Sequence, residues 1–151
     1  MNKFVSAVLL ILVLAGCGKA PSGSPEDENK IRIAVFEYQM SEYSAPVYFL
    51  SVSEGAANPN AEVMRHFDGR TPPVKTATQG SIGPGGSVAD IQSGDTGVIL
   101  KACAIEWISK TEVKVKGGYM ASAKAASGIT YHVVLKDGEW VVDEVTVNWN
   151  S

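Results

Sequence analysis

The sequence predicts an α+β domain, in which an N-terminal helix and a short second helix pack on a curved, mostly antiparallel, four-stranded C-terminal meander. Apolar residues recur at helical spacing early in the chain, and four runs typical of β-strands follow one another at its end. The 151 residues suffice for one domain, and 45% hydrophobic with 19% charged residues is a globular composition.

The first helix is predicted to begin after Ser24, a favourable N-cap. Pro25 then occupies the first helical position, and Asp27 stands where a capping box needs an acidic side chain. One apolar stripe at helical spacing indicates core packing, and its members are Ile31, Ala34, Val35 and Tyr38. Pro46 disfavours helix before it, so we expect the helix to end near residues 42–44.

The middle of the chain predicts short elements. Residues 47–52 are β-branched and aromatic, which predicts a strand, and residues 74–76 predict another. A second short helix is expected to begin at Asn58-Pro59 and to end at Asp68-Gly69, with its buried side formed by Val63, Met64 and Phe67.

Residues 79–97 are rich in glycine and poor in apolar periodicity. We expect a long exposed loop here, including the whole stretch 80–97, with at most a brief strand at residues 87–91. Asp90 and Asp95 are expected to be solvated charges, because the stretch lacks the spacing of a calcium loop.

The C-terminal third predicts four strands, at residues 98–109, 112–122, 128–136 and 139–149. Asp137-Gly138 between the last two is a strong signal for a two-residue hairpin turn. Val113 and Val115 alternate with lysines, so one face of the sheet is expected to be packed and the other wet. Val141, Val145, Val147 and Trp149 are expected to alternate in the same way.

A positively charged start followed by a short apolar run predicts a secretory signal. The run from Phe4 to Ala15 has twelve residues, short of the roughly 18 that a transmembrane helix needs, and a buried core helix is the other alternative. Leu14-Ala15-Gly16-Cys17 resembles the lipobox of bacterial lipoproteins. The resemblance implies a signal peptide at residues 1–16 and lipidation of Cys17.

The residues from 17 to 30 are then a lipidated cysteine, a flexible Pro/Gly-rich tether and the start of the first helix, and residues 31–151 form the single domain. The lipobox implies attachment to a membrane of the bacterial cell envelope through the lipid on Cys17. Gly18 rather than an aspartate follows the cysteine, which implies the outer membrane, facing the periplasm, in a Gram-negative cell. A net charge of −3 argues against a nucleic-acid partner.

Several short motifs stand out from residue 31 onward, among them Tyr48-Phe49-Leu50-Ser51-Val52, Ile105-Glu106-Trp107, Gly117-Gly118-Tyr119 and Lys136-Asp137-Gly138-Glu139-Trp140. With these motifs the chain resembles a family of uncharacterised bacterial secreted proteins and lipoproteins. The order of helices and strands also resembles NTF2-like and cystatin-like cones. The family implies no activity, and Met120 stands where a second aromatic residue often follows the Gly-Gly-Tyr.

Residues that carry chemistry are sparse. No catalytic residue, metal ligand set or cofactor is predicted, since the chain has no G-x-S-x-G, HExxH or CxxC motif. Cys103 favours a buried apolar role over a reactive one, and His66 is expected on an exposed helix face. If the concave face of the sheet is open, the predicted ligand-binding residues are Trp107, Tyr119, Tyr131 and His132.

Three functions are consistent with these observations. The first is a non-enzymatic, lipid-anchored domain that binds an envelope protein or contributes structurally. The second is a module that binds a small apolar ligand, of unknown identity, on the concave face of the sheet. The third is an NTF2-like enzyme that uses His132 or an acidic residue in that cone.

Overall fold

A computed structural model describes Gly18 and residues 20–151 of the chain. These described residues form two α-helices, one 3₁₀ helix and eight strands. Their bounds are α1 Pro25–Glu42, β1 Tyr48–Ser51, α2 Ala61–His66, β2 Val74–Thr76, the 3₁₀ helix Ala77–Gln79, β3 Gly80–Ile82, β4 Val88–Asp90, β5 Val98–Ser109, β6 Glu112–Ser122, β7 Ala125–Lys136 and β8 Glu139–Asn150. Among these residues, neither α-helix has the length and apolarity that crossing a bilayer requires.

The α+β class is confirmed, because two helices accompany a large, mostly antiparallel sheet. The sheet has six strands in the order β2-β1-β5-β6-β7-β8, so it is larger than the predicted four-stranded meander. The two extra strands are the short ones predicted at residues 47–52 and 74–76. They join the sheet in parallel, β1 beside β5 and β2 beside β1, and sequence periodicity does not report such long-range pairings.

The helix α1 covers one face of the sheet, which we call the inner face. The Ser24 hydroxyl accepts from the Asp27 amide, and the Asp27 carboxylate accepts from the Ser24 amide, so the predicted capping box fixes where α1 begins. Fully buried side chains fill the space between helix and sheet, and they include Ile31, Val35, Phe36, Val113, Val115, Tyr131 and Val133. The centre of the inner face is therefore a packed core.

The strands carry bulges that a period-two pattern does not anticipate. One lies in β5 between Ala102 and Ile105. Another lies in β8 between Val142 and Glu144, which pair with the consecutive β7 residues Val133 and His132. Each bulge bends its strand and shifts the following side chains to the other face. The expected alternation of Val141, Val145, Val147 and Trp149 is wrong for this reason. Trp140 is buried, whereas Val147 and Trp149 are each 54% exposed.

Residues 79–97 do not form one long loop, although many of them are exposed. The brief strand expected at residues 87–91 is confirmed as β4. The strands β3 and β4 form a small antiparallel sheet of their own. Val88 is fully buried and packs with Val47, Phe49 and Ile99 on the outer face of the large sheet. The short β3–β4 hairpin packs on the sheet through Val88, and a single apolar residue gives the segment little hydrophobic periodicity.

Asp90 is buried, so the expectation that it is a solvated charge is wrong. Its side chain is 2% exposed and forms an ion pair with Lys75. Its second oxygen accepts from the amides of Gln92 and Ser93, at 2.8 and 3.3 Å. The Lys75 ammonium and these amides hold the pKa of the Asp90 carboxyl below its ordinary value of 3.8, although burial opposes them. The aspartate thereby fixes the turn that follows β4.

This pairing predicts an acid-sensitive contribution to stability. Because the pKa of Asp90 is lower in the folded chain than in the unfolded chain, its contribution is present above pH 3.8 and is lost as the pH falls through the folded pKa. We expect wild type to have a higher Tm than Asp90→Asn at neutral pH, with the difference narrowing in acid. Thermal unfolding by circular dichroism down to about pH 2 measures it. A difference that stays constant with pH would contradict this assignment.

Candidate functional site

The candidate site is a groove of about 580 Å³ between α1 and the start of β8. Ile33, Ala34 and Tyr38 of α1 form its apolar floor, and residues Trp140, Val141 and Val142 of β8 line its other wall. Its rim carries Lys30, Glu37, His66 and Glu139. A concave, mostly apolar site with a few polar groups is the usual form of a binding site in proteins, and sites of 300–1,000 Å³ are typical.

Local sequence features position α1 and β8, which form the two walls of the groove. The Ser24–Asp27 capping box begins α1 and sets the turn on which Lys30 and Ile33 lie. The Asp137-Gly138 turn has φ of 52° and 80°, as the predicted two-residue hairpin requires, and it begins β8. Trp140 is 8% exposed and stacks edge-on against Trp107, with ring centroids 5.7 Å apart.

A cluster of charges at Glu37 closes one side of the groove. The Glu37 carboxylate accepts from Arg70 at 2.6 Å and lies 3.1 Å from His66 Nε2. Burial raises the pKa of the Glu37 carboxyl, but the hydrogen bonds from Arg70 and His66 outweigh burial and leave that pKa below 4.5. The rim therefore carries a fixed carboxylate. His66 lies on the exposed face of α2, as predicted.

The groove is bordered by an open strand edge, because β8 is the last strand of the sheet. Lys136 pairs with Glu139 and Val134 with Val141 in the β7–β8 hairpin. Residues that exchange hydrogen bonds alternate along an antiparallel pair. Glu139 and Val141 therefore direct their backbone groups to β7, whereas Trp140 and Val142 direct theirs to the open edge beside α1.

The structure does not bring the predicted ligand-binding residues together. Trp107 lies at the β5–β6 turn opposite Val113, whereas Tyr119 lies six residues further along β6, roughly 20 Å away. Tyr119 stacks on Tyr43 at the end of α1, with centroids 4.3 Å apart. Tyr131 is fully buried under α1, and its hydroxyl lies 2.8 Å from Gln39 Nε2.

His132 lies on the outer face of the sheet, on the side opposite its neighbour Tyr131. Its Nε2 is 2.7 Å from the Glu112 carboxylate, and its Nδ1 is 3.8 Å from Asp143. Lys136 donates to Asp143 at 2.8 Å and keeps the pKa of that carboxyl below its usual value. His132 is thus part of a surface charge network and does not face the inner side of the sheet.

The chain has two cysteines, Cys17 and Cys103. Cys17 lies outside the described residues, so its lipidation stays a prediction. Cys103 is 8% exposed in β5, and burial, with the Glu54 carboxylate nearby, raises the pKa of its thiol to about 11. The buried apolar role predicted for Cys103 agrees with this environment.

Most of the groove is not predicted from the sequence. Ala34 and Tyr38, expected in the core stripe, are half-buried, pack against the core and also line the groove. Ile33 and Glu37 are not among the predicted site residues. The signal in the sequence is a second stripe beside the first, in which Lys30, Ile33 and Glu37 recur at helical spacing.

Within residues 20–151, no three His, Cys, Asp or Glu side chains are placed so that they could hold a metal ion. Comparison of the chain with protein-family models, curated proteins and solved structures gives no match. The function must therefore be inferred from the residues and their geometry.

Proposed function

We propose that this chain is a lipid-anchored lipoprotein of the bacterial cell envelope whose domain binds an extended segment of a partner protein in the groove between α1 and β8. The anchor is proposed from the resemblance of Leu14-Ala15-Gly16-Cys17 to a lipobox. The binding role is carried by one observation, the apolar groove bordered by the open edge of β8. An NTF2-like or cystatin-like cone remains part of the proposal for the fold.

The strand edge favours an extended protein segment as the occupant. Trp140 and Val142 present backbone groups to the open edge, and a segment that pairs with them would extend the sheet by one strand. Alternate side chains of that segment would then reach the apolar floor formed by Ile33, Ala34 and Tyr38. Main-chain pairing supplies affinity in this mode, and the floor supplies specificity.

A small apolar ligand in the same groove is the second candidate, favoured by the volume of about 580 Å³ and the apolar floor. The concave face itself offers no such space at its centre, since Tyr131 and Val133 are fully buried there under α1. An enzyme that uses His132 in the cone has no support from the geometry, because His132 lies on the outer face.

Site-specific photocrosslinking in cells that make the full chain tests the proposal. A photoreactive residue in place of Glu139, at the groove rim, is expected to capture a discrete protein, whereas one in place of Lys116, exposed on β6, is not. The captured segment, made as a peptide, should bind the wild-type chain and lose binding when alternate backbone amides are N-methylated. Equal capture at both positions would contradict the proposal.

Filling the groove should weaken binding strongly. We expect Ala34→Arg to weaken binding of the captured peptide roughly 100-fold, since the larger side chain occupies the floor and adds a charge to be desolvated. Isothermal titration calorimetry measures the affinity. Ala104→Arg, at an exposed position of β5, is the matched control and should bind like wild type. Native mass spectrometry that found a small molecule in place of the peptide would favour the second candidate.

A further inference from the structure

The chain enters the domain at one end of the large sheet, which we call the tether end. The turn between β5 and β6 and the turn between β7 and β8 lie at this end, joined by the hydrogen bond from the Leu135 amide to the Thr111 carbonyl. Gly23 packs on the Trp107 ring so closely that a Cβ there would lie 2.1 Å from its carbons. From Gly23 onward the chain is therefore packed against the tether end.

The length of chain before Gly23 limits how far the domain can stand from an anchor at Cys17. Six residue steps separate Cys17 from Gly23, which span at most about 21 Å when fully extended. The eleven residues of β6 alone extend about 37 Å from the tether end to the turn that contains Lys124. The tether is thus shorter than the domain that it holds.

The charge and apolar exposure of the tether end determine how it can contact a lipid bilayer. Ile108 is 42% exposed there, and Lys110 is exposed in the adjoining turn. Acidic residues balance the lysines, since Glu26 pairs with Lys30 and Asp137 lies next to Lys136. With no basic patch, attraction to anionic headgroups is weak, and the covalent tether sets the orientation.

We propose that the tether end, with Ile108 and Lys110, stands against the headgroups of a phospholipid bilayer, while the turn at Lys124 points away from it. This inference rests on the proposed lipid anchor at Cys17. It adds that the domain has one fixed end toward the membrane and that one end of the groove, near Gly138 and Lys30, opens on the same side.

Crosslinking to a lipid headgroup tests the orientation. The full chain, purified from bacterial membranes in detergent, is reconstituted into vesicles of phosphatidylethanolamine, phosphatidylglycerol and a maleimide-bearing lipid. Single variants Lys110→Cys, Lys116→Cys and Lys124→Cys place a thiol at the tether end, on the outer face and at the far turn. Cys103 gives little background, because its thiol is buried and has a pKa of about 11.

We expect Lys110→Cys to react roughly tenfold faster than either other variant, since only this thiol lies within reach of the headgroups. The ratio should persist in high salt, because the orientation does not depend on charge. Equal reaction at all three positions, or faster reaction at Lys116→Cys from a domain lying flat, would overturn the inference but leave the anchor in place.

Flotation of the same vesicles separates the two proposals. Wild-type chain is expected to float with the vesicles, and Cys17→Ser is expected to remain at the bottom of the gradient. Wild-type chain that fails to float would overturn both the anchor and the orientation. Mass spectrometry of the N-terminal peptide then identifies whether Cys17 carries lipid.

Discussion

Gly118→Ala is expected to destabilise the folded chain far more than the same substitution at Gly85 or Gly138. Gly118 lies in β6 with φ of +144°, and a Cβ there would lie 1.9 Å from the Ser127 carbonyl oxygen of β7. The obstacle is backbone in the adjacent strand, so no side-chain movement relieves it. We expect a loss above about 4 kcal/mol, comparable with the whole stability of a marginal domain.

Two other glycines separate the contribution of the close contact from that of the backbone angle. Gly138 has φ of +80° but open space around its Cβ position, so Gly138→Ala should cost only about 1 kcal/mol. Gly85 has open space and no positive φ, and Gly85→Ala should change stability by less than about 0.5 kcal/mol. Urea unfolding and the yield of folded protein measure all three. Gly118→Ala unfolding together with Gly85→Ala would refute the argument.

Elements set by local chemistry were predictable from the sequence. The capping box at Ser24 and Asp27 forms as predicted, and α1 ends at Glu42, within the predicted range. The Asp137-Gly138 turn also forms, and the four long strands match their predicted ranges within about three residues. Each of these depends on groups a few residues apart, which a sequence displays directly.

Features that depend on distant pairings were not predictable. The strand β1 is buried on both faces, because α1 covers one side and the β3–β4 hairpin covers the other through Val88. The open edge of β8 is defined only by the order of strands in the sheet. The groove needs both α1 and β8, which lie about a hundred residues apart in the chain, so no local pattern marks it.

The close approach of β6 to its two neighbouring strands at Gly117 and Gly118 is a further case of long-range order. A Cβ at Gly117 would lie 2.1 Å from the Lys101 carbonyl oxygen, so β5 and β6 approach closely only with glycine there. This approach brings the Lys101 and Gly118 carbonyls to the buried side of α1. Both oxygens then lie 3.0 Å from Gln39 Nε2.

Gln39→Leu should cost roughly 2–4 kcal/mol, because it removes the amide that donates to the Lys101 and Gly118 carbonyls. Gln39 is fully buried, and its Oε1 has no partner, so leucine fills a similar volume and removes one unpaired atom. Tyr131→Phe is the informative comparison. An amide has two N–H groups, and if the carbonyls of Lys101 and Gly118 take both, the tyrosine hydroxyl at 2.8 Å contributes little.

We therefore expect Tyr131→Phe to change the free energy of unfolding by less than about 1 kcal/mol, with the double variant close to Gln39→Leu alone. Urea unfolding of wild type, the two single variants and the double variant completes this double-mutant cycle. A loss at Tyr131→Phe as large as that at Gln39→Leu would assign one amide hydrogen to the tyrosine hydroxyl and leave only one for the two carbonyls. The distinction matters for the fold, because the two carbonyls anchor α1 to both β5 and β6, whereas the tyrosine hydroxyl anchors it to β7.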